Sequence, residues 1–193
     1  AILTAAATRI VKVKFEMGMF ENPYCDVDYA VSFVGNEENQ KVNLQAAREA
    51  MTLLKNDGAL PLNPDAKQTI LVCGPRAFDT DSLVGGWSSA QDGMTIADAV
   101  AAYAGENTTV LTEKEDVEVI KELAQQADVI IVSIGEPSYQ HDPVWGYDTL
   151  EIVQSQQEIL EAAGCTKNSD GIYERDGEEI GFVISVMSGE QDR

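Results

Sequence analysis

Histidine is almost absent: His141 is alone among 193 residues. That excludes a metal site built from several imidazoles. Cysteine is scarce as well. Cys25, Cys73 and Cys165 are odd in number, far apart and form no CxxC pair, so neither a disulfide framework nor a structural zinc site is expected. Positive charge is the third shortage, with 13 Lys and Arg against 33 Asp and Glu and a net charge of -20. Nucleic acid is bound through basic patches, so no nucleic acid partner is expected. The same charge disfavours an anionic membrane surface, and no apolar run reaches the roughly 18–20 residues of a membrane span. No GxGxxG or Walker motif follows the long apolar strands, which weighs against a nucleotide-binding domain. No cofactor is expected. The chain starts at Ala1 rather than at Met and shows no signal peptide; the expectation is a processed product or a piece of something larger.

What is present suffices for a packed core, since 44% of the residues are hydrophobic. The excess of acid reads first as solubility. Residues 2–17 carry Ile2, Leu3, Ala6, Ile10, Val13, Phe15 and Met17 at roughly helical spacing, with Gly18 as a stop. Residues 25–38 have weak periodicity and read as linker. Residues 43–55 form an amphipathic pattern closed by Asn56-Asp57-Gly58. Strands are expected at 69–74, 108–112, 128–134 and 180–187, and helices at 95–102, 115–126 and 149–163. Helices alternating with strands imply a parallel sheet. The expected fold class is therefore α/β, a mostly parallel sheet flanked by helices. A small hairpin is expected around Asp176-Gly177.

The stretch Asp128-Val-Ile-Ile-Val-Ser-Ile-Gly-Glu136 organises this pattern. Its apolar run reads as a strand buried on both faces. Polarity then changes abruptly to Gly135, Glu136, Pro137, Tyr139, His141, Asp142 and Trp145. Ligands of open α/β sheets bind outside the carboxyl ends of the strands. Glu136 has two readings, a carboxylate placed for chemistry or a solvated loop residue. A second long loop, 75–94, contains Leu83-Val-Gly-Gly-Trp-Ser88, and long ordered loops at strand ends are usually functional. Trp87, in this polar loop, reads first as a core anchor. A lone histidine in a loop, such as His141, reads first as solvent-exposed.

Several segments taken together resemble the family 3 glycoside hydrolases, which include β-glucosidases, β-xylosidases and exo-glucan hydrolases. Residues 9–24 look like the segment that closes the catalytic barrel of that family. Residues 46–58 with Leu60-Pro61-Leu62 look like the first helix of its second domain, and Ile70-Leu-Val-Cys-Gly-Pro75 matches the first strand. Gly85-Gly86-Trp87 and Gly135-Glu-Pro-Ser-Tyr139 match two loops that reach into the active site. The order and spacing hold across roughly residues 5–163. The resemblance divides the chain into residues 1–24 from the end of the barrel, a linker at 25–42, and an incomplete α/β sandwich domain at 43–193.

What the resemblance implies is a retaining hydrolysis by two carboxylates about 5 Å apart. The nucleophile is an aspartate of the barrel, so a barrel domain or chain must supply it. Glu136 matches the acid/base, and Trp87, with Gly86, matches the tryptophan that stacks on a sugar ring. Tyr139, Trp145 and Asp142 are secondary substrate-binding candidates, and the partner is a carbohydrate. Family members are often secreted or periplasmic. The resemblance weakens after the helix at 149–163. Residues 163–193 diverge, and are similar to peptide-binding proteins of bacterial transporters, so the tail is a divergent insert or a fused piece. A different class of function stays open beside the glycosidase: a non-catalytic module that binds sugar or peptide.

Overall fold

The computed structural model describes residues 1–56, 58–80, 93–136 and 152–175, together with the backbone of residues 178–179 and 183–184. The chain divides into two compact units, Ala1–Glu49 and Ala50–Arg193.

The first unit is helical. α1 spans Ile2–Glu16, α2 Val27–Phe33 and α3 Glu37–Ala50, the last reaching one residue past the unit's limit. Gly18 follows α1 with φ +66°, the left-handed geometry that glycine adopts at little cost. The stretch expected to be linker is helical over α2. Asp26 starts it by accepting a hydrogen bond from the Tyr29 amide, and Tyr29 stacks on Phe33 one turn later. These are local signals that apolar periodicity does not register. None of the three helices contains a buried residue, and Ile2, Leu3, Ile10, Phe15 and Val31 are exposed.

The second unit is a mixed α/β domain. β2 (Gln68–Cys73) lies between β3 (Thr108–Glu113) and β4 (Val129–Val132), parallel to both. Ile70 faces Val110 on one side and Val129 on the other, and Cys73 faces Glu113 and Val132. Side chains alternate across a strand, and β2 is buried on both faces. Leu71 and Cys73 enter a cluster with Ile120, Ile159, Leu160 and Ala163. Ile70 and Val72 enter another with Ala77 and Ala97. Helices therefore cover both faces: α4 (Ile96–Tyr103) on one, α5 (Val117–Ala124) and α6 (Gln154–Ala162) on the other. Thr95 caps α4 through a capping box with Asp98, as its sequence position predicts.

Two expectations need correction, and a third is met in part. The strand after Asp128 is not buried on both faces. All of Val129–Val132 is half-buried; among the described residues β4 stands at an edge of the sheet and β2 takes the central place. The helix expected over 43–55 runs earlier, over α3, and is followed by β1 (Thr52–Leu53), which pairs antiparallel with β8 (Val183–Ile184). Backbone pairing with a distant segment thus overrides the helical pattern of Met51–Leu54. Around 166–179, β5 (Thr166–Lys167), β6 (Tyr173–Arg175) and β7 (Glu178–Glu179) make a small antiparallel sheet. Arg175 pairs with Glu178, so the strands expected to flank Asp176-Gly177 are there; those two residues lie outside the described ones.

Candidate functional site

β2 and β4 are followed in the chain by helices on opposite faces of the sheet, α4 after β2 and α6 after β4. Adjacent parallel strands whose connections diverge to opposite faces open a crevice at their carboxyl ends, the usual ligand position in such sheets. Glu136 stands at this end, four residues past Val132, and is half-buried.

Backbone geometry holds the two strand ends close. The Ser133 amide donates to the Cys73 carbonyl at 2.7 Å, extending the ladder past β4. The Arg76 amide in turn donates to the Ser133 carbonyl at 3.1 Å. Between them sits Gly74, at φ +98°, where an added Cβ would lie 2.3 Å from the Ser133 oxygen. A short 3-10 turn, Pro75–Phe78, follows, and the Arg76 guanidinium pairs with Asp79.

Gly135, the residue before Glu136, is held from two directions. The Gln156 side chain of α6 accepts from the Gly135 amide at 3.0 Å and donates to its carbonyl at 2.8 Å. Gln156 is 5% exposed and is the buried polar side chain among the described residues. The Arg76 stem comes to Gly135 as well: an added Cβ there would meet Arg76 Cγ at 3.6 Å. At φ +154°, Gly135 has a backbone conformation that side-chain-bearing residues rarely adopt. The stem of one side chain from the turn after β2 and the amide of one from α6 thus converge on the segment that carries Glu136.

Of the residues singled out from sequence, Glu136 is the one the structure describes. Trp87, Gly86, Tyr139, His141, Asp142 and Trp145 lie outside the described residues. Sequence reading missed Arg76 and Gln156. Arg76 follows the strand-ending Gly74-Pro75 directly, a position at the sheet's carboxyl edge that could have drawn notice. Gln156 carries no comparable signal. Among the described residues no group of three His, Cys, Asp or Glu is arranged to hold a metal, and no helix is long and apolar enough to cross a membrane.

A scan of protein families matches residues 51–170 to the glycosyl hydrolase family 3 C-terminal domain. Among curated proteins, a lysosomal beta glucosidase of Dictyostelium discoideum is 30% identical over 170 residues, covering 76% of this chain and 21% of that protein. A periplasmic beta-glucosidase of Salmonella typhimurium is 26% identical over 211 residues, covering 86% of this chain and 26% of that protein. The chain therefore spans a fifth to a quarter of the length of these relatives. Among solved structures, a beta-glucosidase involved in saponin metabolism from intestinal bacteria superposes with a TM-score of 0.69 at 25% identity, over 83% of this chain and 27% of that one. The Listeria innocua beta-glucosidase in complex with glucose gives 0.66 at 22% identity, over 81% and 22%, a likeness of fold.

Proposed function

The chain belongs to the family of glycosyl hydrolase family 3 C-terminal domains, and from that membership we propose that it is the acid/base-bearing domain of a retaining β-glycosidase acting on β-glucosides or related oligosaccharides. The nucleophile comes from a barrel domain, of which residues 1–24 are the closing helix and exit segment. The observation that carries this reading is the position of Glu136. It follows a glycine hydrogen-bonded at both its amide and its carbonyl by the Gln156 side chain, at the carboxyl end of a parallel strand.

The chemistry asks two things of such a carboxyl group. It must protonate the glycosidic oxygen as the bond to the anomeric carbon breaks, then take a proton from the water that attacks the glycosyl-enzyme. Both steps need the carboxyl held on the leaving-group side of the sugar, about 5 Å from the nucleophile. A half-buried residue on a pinned backbone suits this work better than a freely solvated one. Trp87 with Gly86 supplies a stacking surface for a sugar ring, whose C–H faces match an aromatic plane. Tyr139, Asp142 and Trp145 line the same carbohydrate.

The test is Glu136→Gln in the enzyme that unites this chain with its barrel. Aryl glycosides with acidic phenols leave without a proton, whereas alkyl glycosides need one. The variant should lose roughly 100-fold or more in kcat on alkyl glucosides and far less in glycosylation of the enzyme by dinitrophenyl glucoside. An equal loss on both substrates would refute the role.

A further inference from the structure

Packing of α6 does not call for an amide at Gln156. Ile159, Leu160 and Ala163 already anchor α6 in the apolar cluster, and an apolar side chain at 156 would be desolvated without penalty. An amide there is costly unless both of its ends are matched. Both are, and by one residue: Gln156 Oε1 takes the Gly135 N–H and Gln156 Nε2 gives to the Gly135 carbonyl. Gly135 has no side chain with which to anchor itself, and its φ of +154° is available chiefly to glycine. The Gln156 amide therefore fixes the direction in which the backbone enters Glu136.

We infer that Gln156 is a positioning residue for the proton transfer at Glu136: its bidentate grip on Gly135 sets where the Glu136 carboxyl sits relative to the glycosidic oxygen. The inference rests on the acid/base reading of Glu136. A displacement of about 1 Å in a reacting group costs on the order of 100-fold in rate, so a backbone hinge directly before the carboxylate is a sensitive place for control. The Arg76 stem lies beside Gly135, where an added Cβ would meet its Cγ at 3.6 Å.

The experiment compares Gln156→Met, Gln156→Glu and Glu136→Gln in the barrel-containing enzyme, on an alkyl glucoside and on dinitrophenyl glucoside. Gln156→Met keeps the volume and removes both hydrogen bonds. It should lower kcat/KM, which reports glycosylation of the enzyme, about 10- to 100-fold for the alkyl glucoside and leave kcat/KM for dinitrophenyl glucoside within roughly threefold. Gln156→Glu provides a second, independent readout. A protonated carboxyl offers one donor and one acceptor, as the amide does; an ionised one cannot donate to the Gly135 carbonyl. Its alkyl-glucoside activity relative to the parent enzyme at each pH should therefore recover as pH falls. Equal losses on both substrates, or no recovery at low pH, would overturn the inference if Glu136→Gln itself discriminates between leaving groups. If Glu136→Gln does not discriminate, the acid/base reading falls, and the Gln156 inference falls with it.

Discussion

The alpha carbon of Gly74 packs so closely on the carbonyl of Ser133 that an added Cβ would lie 2.3 Å from its oxygen. With φ at +98°, Gly74 is also in a backbone region that disfavours any side chain. Two physical reasons, steric and conformational, thus demand glycine where the ends of β2 and β4 meet. Gly74→Ala should destabilise the chain by about 3 kcal/mol or more, read as a drop in the midpoint of chemical denaturation. A loss under about 1 kcal/mol would show that the two strand ends can separate freely.

The sheet's helical cover depends on few large side chains. Ile120 on α5 is fully buried against Leu71 and Cys73, with Ile159 and Leu160 of α6 in the same cluster. Ile120→Ala should cost about 2–5 kcal/mol in urea denaturation, whereas Val119→Ala, on an exposed neighbour of the same helix, should cost less than about 1 kcal/mol.

Burial pushes the Cys73 thiol up to about 12, with Cys165 and Glu113 adding to the shift. The native chain keeps this proton through a range in which the unfolded chain has released it, from the ordinary value of 9.0 upward. The unfolded state then binds fewer protons, so stability should fall as pH rises from about 9 towards 12. At neutral pH the same burial makes the thiol inert. Iodoacetamide should modify the exposed Cys25 in the native chain and reach buried Cys73 and Cys165 only after unfolding. Rapid native labelling of Cys73 would contradict the packing described.

Hydrogen bonds from the Thr95 side chain and backbone hold the Asp98 carboxyl below its ordinary value of 3.8. The folded state favours the ionised form, so the cap's contribution is present above that value and fades as pH falls through the lowered one. Thr95→Ala should raise the Asp98 midpoint, followed by NMR titration of its carboxyl carbon, towards the ordinary carboxylate value. An unchanged midpoint would mean that the capping box is not formed in solution.

The parts of the fold legible in the sequence are those written as local pattern. The run Thr69–Cys73 closed by Gly74, the Thr95 cap, and Gly164 after α6 each announce an element by composition alone. Rank within the sheet is not local. Val129-Ile-Ile-Val132 is strongly apolar, yet it is half-buried at an edge of the described sheet, with β2 as its neighbour. β1 was hidden for a similar reason, since Thr52 and Leu53 find their partners at Ile184 and Val183, far along the chain. At the site, Glu136 stood out because a carboxylate followed an apolar strand. Gln156 did not, because it sits in Gln154-Ser-Gln-Gln-Glu158, which by composition looks like a solvated first helical turn. Hydrophobic periodicity has no mark for a polar side chain buried to satisfy a distant backbone.

The most direct measurement is chemical rescue of Glu136→Ala by azide in the barrel-containing enzyme, using dinitrophenyl glucoside. An acid/base variant still forms the glycosyl-enzyme from this substrate but deprotonates water poorly. Azide needs no base and fits the space left by the missing carboxyl. The account predicts that azide restores turnover at least roughly tenfold and that the product is the β-glucosyl azide, formed by a second inversion at the anomeric carbon. An α-azide would make Glu136 the nucleophile, and no rescue at all would remove it from the reaction; either result contradicts the account.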